Sequence, residues 1–172
     1  MMEMKLQRMA RVLHGVTLFL MVGLPLVLAG ALIAVSMGVR FQTMPEGAAP
    51  EGIFLWLGVL AGFLPALALF WALETLRRLF QRYMHGDVLT EGSAVLIRQT
   101  GKALLALAAL KIMVMPLQTL LFTWQSPPGQ RMISVGIGHA EIGFLLVAGL
   151  LTVIGWAMTE AARQAEENRA FV

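Results

Sequence analysis

The side chains that could do chemistry are few and scattered. Three histidines, His14, His85 and His139, are the usual ligands for a metal ion or a haem. One lysine, Lys111, lies inside an apolar run, where an ionisable group is a functional hypothesis by default. His139 and Glu141 are close enough in sequence to offer an external cation two ligands, which is too few to define a site. An ordinary polar helix start accounts for them as well. There is no cysteine, which removes disulfides, thiolate metal sites and thiol redox chemistry. There is no HExxH, no GxSxG and no cluster of carboxylates. The chain therefore reads as non-enzymatic, with no catalytic residue, cofactor or metal ligand assigned.

Four apolar runs must position these residues. Hydrophobic residues make up 58% of the 172 and charged residues 13%, which departs from soluble proteins toward membrane ones. The runs are 12–39, 53–73, 103–124 and 142–159, and about 20 residues cross a bilayer core. The first follows Lys5, Arg8 and Arg11, as a signal peptide would. Its 28 residues exceed the roughly 7–15 of a signal core, so it reads as a span. The expectation is one all-α domain, residues 1–172: a polytopic membrane protein with four transmembrane helices in an antiparallel bundle.

Small residues recur every fourth position at Gly30, Ala34 and Gly38 and again at Gly58, Gly62 and Ala66. Such stripes let helices approach closely, within one bundle or between copies in a homo-oligomer. The second helix should continue past the membrane, because Leu76, Leu79, Phe80 and Tyr83 keep one apolar face. Gly86 is placed to stop it and Thr90 to cap the third helix. The fourth helix should continue through Glu160–Asn168. This projects a hairpin, 74–102, and a tail, 160–172, from one face. On the other face, Pro127-Pro128-Gly129 marks a turn, and Met132–Ile137 is apolar enough to lie on the surface or form a short extended piece.

Charge gives the orientation. Ten Lys and Arg residues flank the termini and the hairpin, while only Arg40 and Arg131 lie in the other two loops. The positive-inside rule then puts both termini and the hairpin in the cytoplasm. The three histidines are spread over both sides, so no shared metal or haem site is expected. Lys111 has two readings: its side chain snorkels toward the cytoplasmic surface, or it pairs with Glu74, Glu160 or His14 in an inward-facing polar cluster. A second candidate surface is cytoplasmic: Arg77, Arg78, Arg82, Gly86, Thr90 and Arg98 on the hairpin, with Glu166, Glu167 and Asn168 on the tail. It suits an acidic protein partner or anionic lipid, against the plainer reading of a solvated basic face. Nucleic acid is not an expected partner, since no helix-turn-helix is present.

Two stretches carry a resemblance. FQRYMHGDVLTEGSAVLIRQTGKALL has aromatic–arginine–glycine, then Thr, a small polar residue, Leu/Ile-Arg and Gly. EAARQAEENRAFV has an amphipathic run, Glu-Glu-Asn and a terminal Phe-Val. With four spans, the chain resembles a widespread bacterial family of small inner-membrane proteins of unknown function. It departs at Gly92-Ser93, where the family usually carries Glu-Asn. The resemblance implies a four-helix fold in the bacterial inner membrane. Members are often encoded beside a small helix-turn-helix regulator, which implies regulation rather than metabolism, and no catalytic residues come with it. The functional expectation is a regulatory or adaptor component that binds a partner through the hairpin and tail. The alternative is a small-solute or ion transporter or channel using Lys111.

Overall fold

In lipid, each backbone N–H must find its acceptor within its own segment, so long apolar runs become helices. A computed structural model of the protein describes residues 2–40, 44–88 and 90–170. Side-chain surroundings are described for these except residues 2–6, 165, 166 and 168–170. The helices are α1 Met2–Ser36, α2 Gly52–Met84, α3 Glu91–Thr123 and α4 His139–Ala170. All four are long and apolar enough to cross a membrane, as expected, and the described residues contain no strand. Helices α2 and α3 have 33 residues each, about 50 Å at 1.5 Å per residue. That exceeds a hydrocarbon core of about 30 Å by several turns. The protein is an integral, multi-pass membrane protein.

The helices pack in chain order. α1 lies on α2, α2 on α3 and α3 on α4, and no other pair comes close along its backbone among the described residues. The four form an open antiparallel array with α3 at its centre. One end of the array, here the hairpin end, carries the α2–α3 turn. The other, the loop end, carries the α1–α2 and α3–α4 connections.

Glycines set the close approaches. A Cβ on Gly62 would meet Gln118 at 2.5 Å, and one on Gly58 would overlap the Phe122 ring. The second small-residue stripe therefore seats α2 on α3. The first does not act this way, because Gly30 and Gly38 have nothing within 4 Å. Between α3 and α4 the backbones themselves meet: a Cβ on Gly101 would lie 2.9 Å from the Ala148 carbonyl, and one on Gly155 would lie 2.7 Å from the Arg98 nitrogen. These contacts set the register, with residue 98 of α3 level with 155 of α4, and 101 level with 148–152.

The best-buried part of the array lies toward the hairpin end. Leu79, Leu96 and Ile97 form its core, with Tyr83, Leu151 and Met158 packed against them. Deeper in, the Thr100 hydroxyl donates to Thr75 at 3.0 Å, joining α3 to α2.

Candidate functional site

The hairpin follows its sequence signals. Gly86 takes a left-handed φ of 88°, which ends α2 without a Cβ clash. The Asp87 N–H returns to the Arg82 carbonyl at 3.1 Å. Thr90 is extended and its hydroxyl accepts from the Ser93 N–H at 3.3 Å, so it is the cap of α3. Ser93, one of the two departures from the resembled family, is fully buried and donates to the Asp87 carbonyl at 2.6 Å. Gly92, the other, lies directly under the Arg82 guanidinium, where any side chain would collide with it. Together these bonds tie the turn into one rigid unit. Thr90→Ala removes one cap bond and should cost about 1 kcal/mol of stability, read as a lowered midpoint for thermal unfolding in detergent.

Beside the turn lies a cleft of about 480 Å³ lined by Arg78, Gln81, Arg82, His85, Asp87 and Leu96. Arg78 reaches Glu74 with its Nε at 2.7 Å, and Arg77 grips the same carboxylate with two bonds of 2.7 and 2.8 Å. Arg82 has no carboxylate partner among the described residues, so the cleft is net positive. Arg98 sits at the α3–α4 seam, its backbone against Gly155. On the tail, Arg163 bridges Glu160 at 2.6 Å and Glu167 at 3.1 Å. The side chains of Glu166 and Asn168 lie outside the described residues.

The expected cluster of Lys111 with Glu74, Glu160 and His14 does not assemble. Glu74 is held by Arg77 and Arg78, and Glu160 by Arg163 and Gln164. His14, on α1, turns to α2 instead, its Nδ1 3.4 Å from the Arg77 carbonyl. Register explains the correction. Glu74 lies level with residue 101 of α3, about 15 Å along the helix from Lys111, and Glu160 is farther still. No lysine side chain covers that distance. Nor does Lys111 reach for the surface: its Nζ meets Glu141 Oε1 at 2.6 Å.

Glu141 comes to Lys111 because the loop before α4 turns back into the array. α4 begins at His139, level with residue 113 of α3, while α3 continues to Thr123. The last stretch of α3 is covered by chain without regular structure. The Thr123 hydroxyl accepts from the Met132 N–H at 3.1 Å, and the Thr119 hydroxyl accepts from the Ser134 N–H at 3.0 Å. Next in line, a Cβ on Gly136 would lie 3.1 Å from the Met115 sulfur. Two residues of the segment pass four residues of helix, about 3 Å per residue, which is an extended chain. Thr123, Thr119, Met115 and Lys111 are four apart and so share one face of α3. That face is a track down which Met132–Gly138 re-enters. Of the two readings of Met132–Ile137, a surface segment or a short extended piece, the structure has elements of both: the chain is extended along α3, and Met132, Ile133, Val135 and Ile137 stay exposed.

Lys111 is 12 residues from the end of α3, about 18 Å along the helix and well inside its apolar run. Glu141 also accepts from the Gly138 N–H at 2.9 Å, so it closes the first turn of α4 as well as neutralising Lys111. The Lys111 Nζ lies 5.8 Å from the Phe144 ring centroid. A cavity of about 590 Å³ opens beside the pair, with Gly62 and Pro65 of α2 on its far wall. His139 is exposed, and no group of three His, Asp or Glu side chains able to hold a metal occurs among the described residues.

Residues 41–172 match the family described as "Protein of unknown function (DUF2975)". The match takes in α2, α3, α4 and both signature stretches, and starts after α1. No curated protein and no solved structure matches the chain.

Proposed function

The chain belongs to the DUF2975 family, whose function is unknown, and from that premise we propose that it is a regulatory or adaptor component of the membrane. It binds an acidic segment of a partner protein through its hairpin, on the cytoplasmic side of a bacterial inner membrane. The observation that carries this reading is the cleft of about 480 Å³ with Arg78, Arg82, His85 and one acid, Asp87, on its wall, mounted on the buried cluster of Leu79, Leu96 and Ile97. A rigid base spares the backbone's ordering cost on binding, leaving only that of the side chains. The positive-inside count supports the orientation. The resembled proteins' frequent neighbour, a small helix-turn-helix regulator, supports a regulatory role.

Affinity purification from native membranes tests the reading. A partner should be recovered with the wild type and lost with Arg78→Glu/Arg82→Glu. Raising salt from 0.1 to 1 M should weaken recovery, because the Debye length falls from about 10 to about 3 Å. Recovery of the protein alone, or identical recovery with the charge-reversed variant, rejects it.

The second reading, transport of a small solute or ion, draws on the intramembrane pair Lys111–Glu141. On the hairpin side of that pair, α3 and α4 meet backbone to backbone at Gly101 and Gly155, which argues against a continuous path between them. Flux into liposomes compared between wild type and Lys111→Leu decides it, since equal background flux in both removes the idea.

A further inference from the structure

The cavity beside Lys111 carries an inference that does not depend on the hairpin. α2 and α4 both flank α3 without approaching each other, and the re-entrant segment fills only part of the notch between them. The remaining volume, about 590 Å³, is within the range of small-molecule sites, roughly 300–1,000 Å³. Its walls are mostly apolar, from Pro65, Val114, Met115 and Ile137.

The polar groups are nearly all committed elsewhere. The Gln118 amide donates to the Gly58 carbonyl at 2.9 Å. The Thr119 hydroxyl donates within α3 and accepts from Ser134. Both oxygens of Glu141 are engaged, one by Lys111 and one by the Gly138 N–H. Lys111 is different. An ammonium has three N–H donors, and Glu141 takes one. No second protein acceptor is bonded to it among the described residues, and its side chain remains 38% exposed along the cavity wall. Beside the Gln118 amide, whose second N–H and oxygen are bonded to no described residue, the charged donors of Lys111 are the polar groups the cavity offers.

Charge then selects the ligand. Lys111 and Glu141 sum to zero, so an anion would leave a net negative charge within the bilayer and a cation a net positive one. Both are costly there. A neutral molecule with an acceptor oxygen adds no charge and satisfies the free donors. We propose that this cavity binds a neutral, largely apolar molecule carrying a carbonyl oxygen, with the Lys111 ammonium donating to that oxygen and the apolar body lying against Pro65, Val114 and Ile137. A quinone ring and the ester carbonyl of a bilayer lipid share this chemistry.

The test uses the full chain in nanodiscs of ether-linked phosphatidylcholine, which has no ester carbonyl, with decylubiquinone as the probe. Native mass spectrometry should count one bound quinone, and the unfolding midpoint should rise with its concentration. Two variants locate the site. Lys111→Met/Glu141→Gln exchanges the charged donor for a neutral amide without stranding a charge, and should bind about fivefold more weakly, the margin of a charge-assisted over a neutral hydrogen bond. Ile137→Trp keeps the ion pair, narrows the cavity where the apolar body would lie and should also weaken binding.

Repeating the measurement in ester-linked phosphatidylcholine separates the sources. If that lipid displaces the quinone and stays bound to the wild type but not to the variants, the occupant is bilayer lipid. If it does not compete, the occupant is a free carbonyl compound. The proposal is overturned if no molecule is retained in either lipid, or if both variants bind as the wild type does.

Discussion

Gly101→Leu and Gly155→Leu should each lower stability by about 3 kcal/mol, the upper part of the overpacking range, and should separate α4 from α3. A Cβ on Gly101 would lie 2.5 Å from the Thr152 hydroxyl and 2.9 Å from both the Ala148 carbonyl and the Thr152 nitrogen. One on Gly155 would meet the Arg98 nitrogen at 2.7 Å and the Ala94 carbonyl at 3.0 Å. Most of these neighbours are main-chain atoms. A flexible side chain could swing aside, but a helix backbone moves only as a whole. The loss is specific to these positions. Gly149 lies on the same helix with nothing within 4 Å, so Gly149→Ala should be neutral or slightly stabilising, since alanine is the better helix former. Unfolding by graded SDS in mixed micelles reads all three. Equal midpoints for Gly101→Leu and Gly149→Ala would show that the α3–α4 seam does not hold the array.

The contrast between these glycines marks what a sequence can and cannot say. Small residues at four-residue spacing are legible as packing stripes, and Gly58 and Gly62 do seat α2 on α3. Gly30 and Gly38 show the same spacing, and a Cβ on either would meet nothing within 4 Å among the described residues. The pattern reports that an approach is permitted; which helix arrives is a tertiary fact. Local signals fare better. Gly86 and Thr90 are readable because a left-handed turn and an N-cap depend on one or two residues each. The hairpin core is readable for a related reason: the apolar face of α2 continues unbroken through Leu79 and Tyr83.

Lys111 is the instructive failure. Glu74, Glu160 and His14 all lie near the hairpin ends of their helices, and sequence alone does not give the offset along the axis between those ends and Lys111. Glu141 reads as part of an outer loop for the same reason. What brings it inward is the stretch Met132–Gly138, whose backbone N–H groups at Met132 and Ser134 are met by threonine hydroxyls where water is scarce. The signal is present in retrospect. Thr119 and Thr123 lie one and two turns from Met115, on the face that carries Lys111, and the loop after the Pro-Pro-Gly turn is apolar. Neither feature alone implies re-entry. Read together, a hydroxyl-lined face and an apolar loop of matching length do.

That geometry makes the Lys111–Glu141 pair the second place where a single change should be severe. Lys111→Met leaves the Glu141 carboxylate with backbone N–H groups but no counter-charge, and Glu141→Gln leaves an unpaired ammonium there. Removing one member of a desolvated pair exposes the full cost of the other, whereas removing both replaces the pair by neutral groups of similar size. Each single variant should therefore lose most of its folded yield from membranes, and Lys111→Met/Glu141→Gln should recover most of it. The single variants should also free the re-entrant segment, because an unpaired charge draws water into the site that the segment borders. Hydrogen exchange at Met132 and Ser134, slow in the wild type, should quicken in Glu141→Gln and slow again when Lys111→Met is added. Additive losses in the double variant would mean that the two residues do not face one another. Near-complete recovery would mean that the fold needs the site to be neutral more than it needs the charges. The charges would then be left to be explained by what the cavity binds.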